Sequence, residues 1–195
     1  MSLMVTNTQR NMSTQQLIDN LQQIVSNNIK EANKFQECAY NKLNKKPAPK
    51  SWSVLECVEH INRYDKLYLS RVDKSINSAE KIDTTDFKSG LIGGVFANLI
   101  HPDKKGLKTK TLPSMNPSNS DLSKEVINVF IDQQLELYRL LKNAQEVDLS
   151  RIKIASSVTN LLSFNLGDTF KILVYHDLRH IRQAKNALDR SSSNR

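Results

Sequence analysis

Residues 52–61 read W-S-V-L-E-C-V-E-H-I, and residues 166–184 read L-G-D-T-F-K-I-L-V-Y-H-D-L-R-H-I-R-Q-A. Each stretch opens a helix. Ser53 followed by Glu56 is a capping box, in which each side chain satisfies a backbone N–H of the first turn. Trp52 before the cap and Cys57 after it stand where a hydrophobic staple would pack, fixing how the chain approaches the helix. The apolar run continues through Val58, Ile61, Leu67, Val72 and Ile76. At 1.5 Å per residue, about 25 residues make a rod of roughly 37 Å. In the second stretch Asn165 and Asp168 give another cap signal. Phe170, Leu173, Val174, Ile181, Ala184 and Leu188 then carry a helix to about Asp189.

Two further helices lie outside these stretches. Leu17, Leu21, Ile24, Ile29, Ala32, Phe35 and Leu43 recur at spacings near three and four, and Pro47 and Pro49 end that pattern. Leu122, Val126, Val129, Phe130, Leu137, Leu140, Leu141 and Ala144 form the stripe of a third helix, with Ser120 or Asp121 as its cap. Residues 80–120 hold most of the glycines and several prolines around one short apolar piece, Leu91 to Ile100. A connection this long can run the length of a bundle as a crossover. Residues 148–165 read as loop with one short helix. The expected fold is therefore all-α, a four-helix bundle with a long crossover connection between helices two and three. One domain spans 14–189, with residues 1–13 as an N-terminal tail (Met1-Ser2-Leu3 before Met4 reads as a cloning scar) and 190–195 as a frayed end.

Composition narrows the function classes. Twenty-eight Lys plus Arg against 20 Asp plus Glu give a formal charge of +8. The basic clusters are Lys42, Lys45, Lys46 and Lys50, then Lys104, Lys105, Lys108 and Lys110. Neither has interleaved aromatic residues, so a solvated basic surface is favoured over a nucleic-acid site. The same field would attract an anionic small substrate. Two cysteines, Cys38 and Cys57, exclude a disulfide scaffold and fit reduced thiols in the cytoplasm. No apolar stretch reaches the length of a membrane span, and no export signal is visible.

Chemistry concentrates on histidine. The chain has four, and His176 and His180 are one helical turn apart, so both imidazoles project from nearly the same side. One helix can offer two nitrogen ligands to one metal by this spacing. His60 lies in the second turn of helix two, and if helices two and four face each other three imidazoles can converge. On spacing alone, one interior histidine bonded to a neighbour and another at the surface is favoured over a metal site.

The two quoted stretches resemble the DinB-like superfamily. Its second helix begins W-S-x-x-E-x-x-x-H-I, and its fourth carries an H-x-x-R-H-x-x-Q type signature. Lys108 to Pro117 resembles its K-T-x-x-P region. The resemblance covers about residues 14–189. It implies a four-helix bundle in which His60, His176 and His180 bind one divalent metal, with a coordination position left open. It also implies a metal-dependent enzyme, either a hydrolase using metal-activated water or a transferase dependent on a small thiol. The alternative is a non-catalytic, stress-linked binding bundle whose metal is structural or absent. Imidazole suits Zn, Ni, Fe and Cu alike, so the ion is not specified. The expected partner is a small molecule, anionic or a low-molecular-weight thiol; nucleic acid and membrane are not expected, and homodimers are common among similar bundles.

Position and, for Gln183 and Cys57, the resemblance suggest what the neighbouring groups do. Glu56 could act as a base, but the capping box accounts for it. Tyr64, one turn after His60, fits either a bond to a metal ligand or a half-buried core position. Arg179 fits helix pairing or an anchor for an anionic substrate. Asp177 is expected to pair with a cation, Gln183 to support the site, Cys57 to be a buried small hydrophobe, and His101 to lie at the surface.

Overall fold

The Glu56 backbone N–H donates to the Ser53 hydroxyl at 3.2 Å, and the Ser53 N–H donates to the Glu56 carboxylate at 2.9 Å. The expected capping box thus starts α3. The computed structural model describes residues 11–83, 86–104, 111–156 and 162–193. Its helices are α1 (Thr14–Gln36), α2 (Tyr40–Asn44), α3 (Val54–Asn77), α4 (Leu91–Ile100), α5 (Glu125–Asn143) and α6 (Leu166–Ser193). Strand β1 (Asn11–Ser13) pairs antiparallel with β2 (Asp86–Lys88), and β3 (Lys153–Ala155) with β4 (Ser163–Asn165). Single 3-10 turns occupy Pro113–Met115 and Ala144–Glu146. The chain is mostly helical, and no described helix is long and apolar enough to cross a membrane.

Of the four long helices, α3 packs on both α5 and α6, and α1 packs on the same two. Their buried faces make two apolar clusters. One gathers Leu17, Leu21, Val25, Val72, Leu137, Leu140, Phe170 and Leu173; the other gathers Ala32, Phe35, Leu55, Val58, Ile61, Phe130, Ile181 and Ala184. A polar layer lies between them, one residue from each long helix: Asn28, Asp65, Gln134 and Asp177, all buried. The Gln134 amide donates to Asp177 at 2.8 Å and to Asp65 at 3.2 Å, while Asn28 donates to the Gln134 oxygen at 3.4 Å. Burial raises both acids. Asp177 is pushed up to about 7, and Asp65 rises with it because the Asp177 charge adds to its desolvation.

Several expectations change. The first helix is two: α1 ends at Gln36, where the Lys124 ammonium caps the Gln36 and Cys38 carbonyls, and Leu43 belongs to α2. Helix α5 starts at Glu125, not at Ser120 or Asp121. Ser120 is occupied by Arg63, and Ser123 instead accepts from the Glu125 N–H. Val129 faces solvent rather than core. Among the described residues of 148–165 the β3–β4 pair, with Ile154 opposite Phe164, stands where a short helix was expected, and residues 157–161 lie outside the described ones. Asn11–Ser13, read as tail, form a strand. Helix α6 runs past Asp189 because the Lys45 ammonium donates to the Ser191 carbonyl at 2.9 Å and buries that turn. Residues 1–10 and 194–195 of the expected tails, and Lys105, Lys108 and Lys110 of the basic and K-T-x-x-P stretches, lie outside the described residues.

Asn165 does cap α6, its side-chain oxygen accepting from the Asp168 N–H at 2.7 Å. Asp168 in turn accepts from the Gly90 N–H at 2.7 Å and so holds α4 against α6. Gly93 permits that approach, since a Cβ there would lie 2.6 Å from the Asp168 carboxylate. Loss of a cap hydroxyl typically costs about 1 kcal/mol, equivalent to about 2–4 °C for a chain of this size. Ser53→Ala is therefore expected to lower the thermal midpoint by that amount, read by circular dichroism, with Glu56 still tied to Lys46 at 2.8 Å.

Candidate metal centre

Three histidines meet between α3 and α6. The ring centroids of His60 and His180 are 4.5 Å apart, those of His176 and His180 4.6 Å, and those of His60 and His176 5.1 Å. One donor nitrogen from each lies within 4.8 Å of the others, a set that can hold a metal ion. The one-turn spacing on α6 supplies two of them, and the packing of α3 on α6 supplies the third.

The hydrogen bonds identify the donor nitrogens. His60 Nδ1 donates to the Met115 carbonyl at 2.7 Å, and His180 Nδ1 donates to the Gln183 side-chain oxygen at 2.9 Å. A ring whose Nδ1 carries the proton has its lone pair on Nε2, so both rings turn a bare nitrogen away from these partners. Burial lowers all three imidazoles, His176 to about 3 and His180 well below its usual range; His60 depresses the other two further, and His176 adds to the depression of His180. The Arg63 cation acts in the same direction on His60, and the Arg179 cation on His176 and His180. The cluster is neutral at pH 7, the form that binds metal.

Aromatic rings frame it. Trp52 stands 4.7 Å from His60 and 5.9 Å from His180, and Tyr64 stands 5.1 Å from His60 and 4.8 Å from His176. Trp52 thus does more than staple the helix start, since its indole N–H also donates to Ser118 at 3.0 Å. Arg63 was not anticipated from sequence. It donates to the Asn116 carbonyl at 2.9 Å and to Ser120 at 3.2 Å, and the Asn119 N–H donates to Glu56 at 3.2 Å. Together with the His60–Met115 bond, these fasten the segment after Leu112 onto the first turns of α3. Asn119 makes the sharp turn in it at φ 64°, a left-handed conformation asparagine tolerates.

The remaining candidates sort by contact. Glu56 contacts Ser53, Lys46 and Asn119, the first of these being the capping box expected of it. Asp177 faces Gln134 and Asp65 in the polar layer, and its other oxygen stands 3.7 Å from Nδ1 of His176, a neutral ring rather than the expected cation. Cys57 is buried outside the histidine cluster, and burial pushes its thiol far up. His101 packs edge-on against Tyr175 at 4.7 Å, away from the other three. Gln183 touches His180, as its position suggested. Arg179 is half-buried and lines an open cleft beside the cluster.

No curated protein and no solved structure matches this chain. The family model of the DinB superfamily matches residues 31–184, a span that holds α3, α5, most of α6 and all three clustered histidines. The chain belongs to the DinB superfamily.

Proposed function

We propose that the protein is a cytoplasmic metal-dependent enzyme, a hydrolase or a small-thiol-dependent transferase, in which His60, His176 and His180 hold one divalent ion. In this reading the four long helices are the family's bundle, with the crossover between α3 and α5. The observation that carries it is the convergence of three neutral imidazoles whose donor nitrogens lie within 4.8 Å of one another. The donor set fits the group: all-nitrogen ligands of this kind suit Zn, Ni, Fe and Cu. Nδ1 of both His60 and His180 is already fixed by an acceptor, as ligand histidines are by their supporting shell.

A divalent ion with an open position would lower the pKa of a bound water toward about 7, or stabilise a thiolate. The chain's own residues set the stage for that. Met115 and Gln183 hold two rings in one tautomer, and Trp52 and Tyr64 wall the site with low-dielectric surface. Arg179 places a fixed positive charge close enough to be felt by two of the rings. His176 and His180 are only half-buried, which favours a reacting site over a sealed structural one.

Purified protein loaded separately with Zn, Ni and Fe tests this against p-nitrophenyl esters and against conjugation of a chlorodinitrobenzene with small thiols. Turnover in at least one panel is expected, dependent on metal and lost in His180→Ala. A metal-loaded protein inert in both would favour the non-catalytic role.

A further inference from the structure

The open cleft beside the histidines has a volume of about 590 Å³, within the usual range of small-molecule sites. Its walls include Trp52, Lys104, Arg179, Arg182, Gln183 and Arg190, and none of its lining residues is acidic. Four cations therefore face one space. Among the described residues Arg182 is paired, to Asp103 at 2.7 Å, while no described carboxylate pairs with Lys104, Arg179 or Arg190.

The cations are ordered along α6. Steps of three or four residues link 179 to 182 and 183, 183 to 186, and 186 to 190, so Arg179, Arg182, Gln183, Asn186 and Arg190 form one polar strip. From His180 to Arg190 the strip spans about 15 Å at 1.5 Å per residue. Its near end touches the metal-site residues twice, through Trp52 against His60 and His180 and through Gln183 on His180. Guanidinium groups in such a row match phosphate or carboxylate oxygens in fork geometry.

We infer that this cleft binds a small phosphate- or carboxylate-bearing molecule, its anionic groups held by the row of cations from Arg179 to Arg190 and one end lying beside Trp52, toward the three imidazoles. The inference rests on the proposed function for the role of that end, but the anion site itself stands on the cleft. Trp52 gives the ligand a flat apolar surface where the anion strip meets the histidines.

Trp52 is the chain's single tryptophan, so its emission reports the cleft directly. Phenyl phosphate is titrated into metal-free and zinc-loaded protein, with phenol as the uncharged control. Saturable change in Trp52 emission is expected in both forms, with phenol binding at least about tenfold more weakly. An Arg179→Gln, Arg190→Gln variant is expected to weaken phenyl phosphate by about tenfold or more, the value of charge-assisted hydrogen bonds. Its zinc content is expected to be unchanged. A Lys66→Gln, Lys142→Gln variant, which removes two exposed charges outside the cleft, is expected to bind as the parent does.

Equal affinity for phenol, or equal weakening by the remote lysine variant, would overturn the anion site. So would binding that needs zinc and survives loss of both arginines. Tighter binding of a short DNA duplex, weakened in the same arginine variant, would assign the strip to nucleic acid instead. Anion binding by protein that takes up no metal would leave this inference standing while the proposed function fails. Zinc uptake without anion binding would do the reverse.

Discussion

His176→Ala, His180→Ala protein is expected to lose its metal entirely while keeping its helical circular dichroism. Parent protein dialysed against a divalent metal should retain about one ion per chain, the stoichiometry of a three-histidine site. The double variant leaves a single imidazole, which offers no more than any isolated histidine, so its content should fall to background. The fold should survive because His176 and His180 are only half-buried and neither belongs to the apolar clusters. Elemental analysis of both proteins after the same dialysis decides the matter. Equal metal in the two would remove the basis of the proposed function. His101→Ala, whose ring packs on Tyr175, should retain the parent's metal.

The second large effect is on stability. Gln134 is the shared donor to two fully buried carboxyl groups, and Gln134→Leu removes both bonds at once. Leaving a buried polar group without its hydrogen-bond partner typically costs about 1–3 kcal/mol, more where the group is charged, and Gln134→Leu does this to two acids. The loss should depend on pH, and its sign follows from the raised acids. A carboxyl group whose folded pKa exceeds its unfolded one is held protonated by folding. Its stabilising effect is present in acid and is lost as pH rises from the ordinary carboxylate range through the folded value, here about 7 for Asp177. Without the Gln134 amide both acids rise further, so the deficit of the variant should be larger at pH 8 than at pH 5. The depressed histidines impose an opposite slope, but they do so in both proteins and cancel in the difference. Urea unfolding of metal-free parent and variant at the two pH values measures it. Identical deficits at both would show that the polar layer is held by something other than this donor.

What could be read from the residues, and what could not, divides by range. Helix caps are local, and the Ser53–Glu56 and Asn165–Asp168 signals both proved to start helices where expected. The His176–His180 pair was legible for the same reason, since one turn of helix fixes it. The convergence of His60 with them needed the family pattern, because nothing in the sequence of one helix states which face its neighbour offers. Asp177 shows the limit most clearly. Its position relative to His176 was readable, yet its partner comes from Gln134 on another helix, and a hydrogen bond to an amide replaces the expected ion pair. The β3–β4 pair was missed because three-residue strands carry too few residues for a period to emerge. Ser120 looked like a helix cap for want of any sign that Arg63, 57 positions earlier, would claim its hydroxyl.

The strap after Leu112 makes completion of the histidine cluster a late, non-local event in the life of the chain. His60 receives its orienting acceptor from Met115, 55 positions away, and three neighbouring groups on or beside α3 grip the same strap. Closing a loop of that length costs entropy that no contact within α3 offsets, so the helices can assemble before the strap docks. Clipping the strap is therefore expected to free the His60 ring from its fixed orientation while leaving the long helices in place.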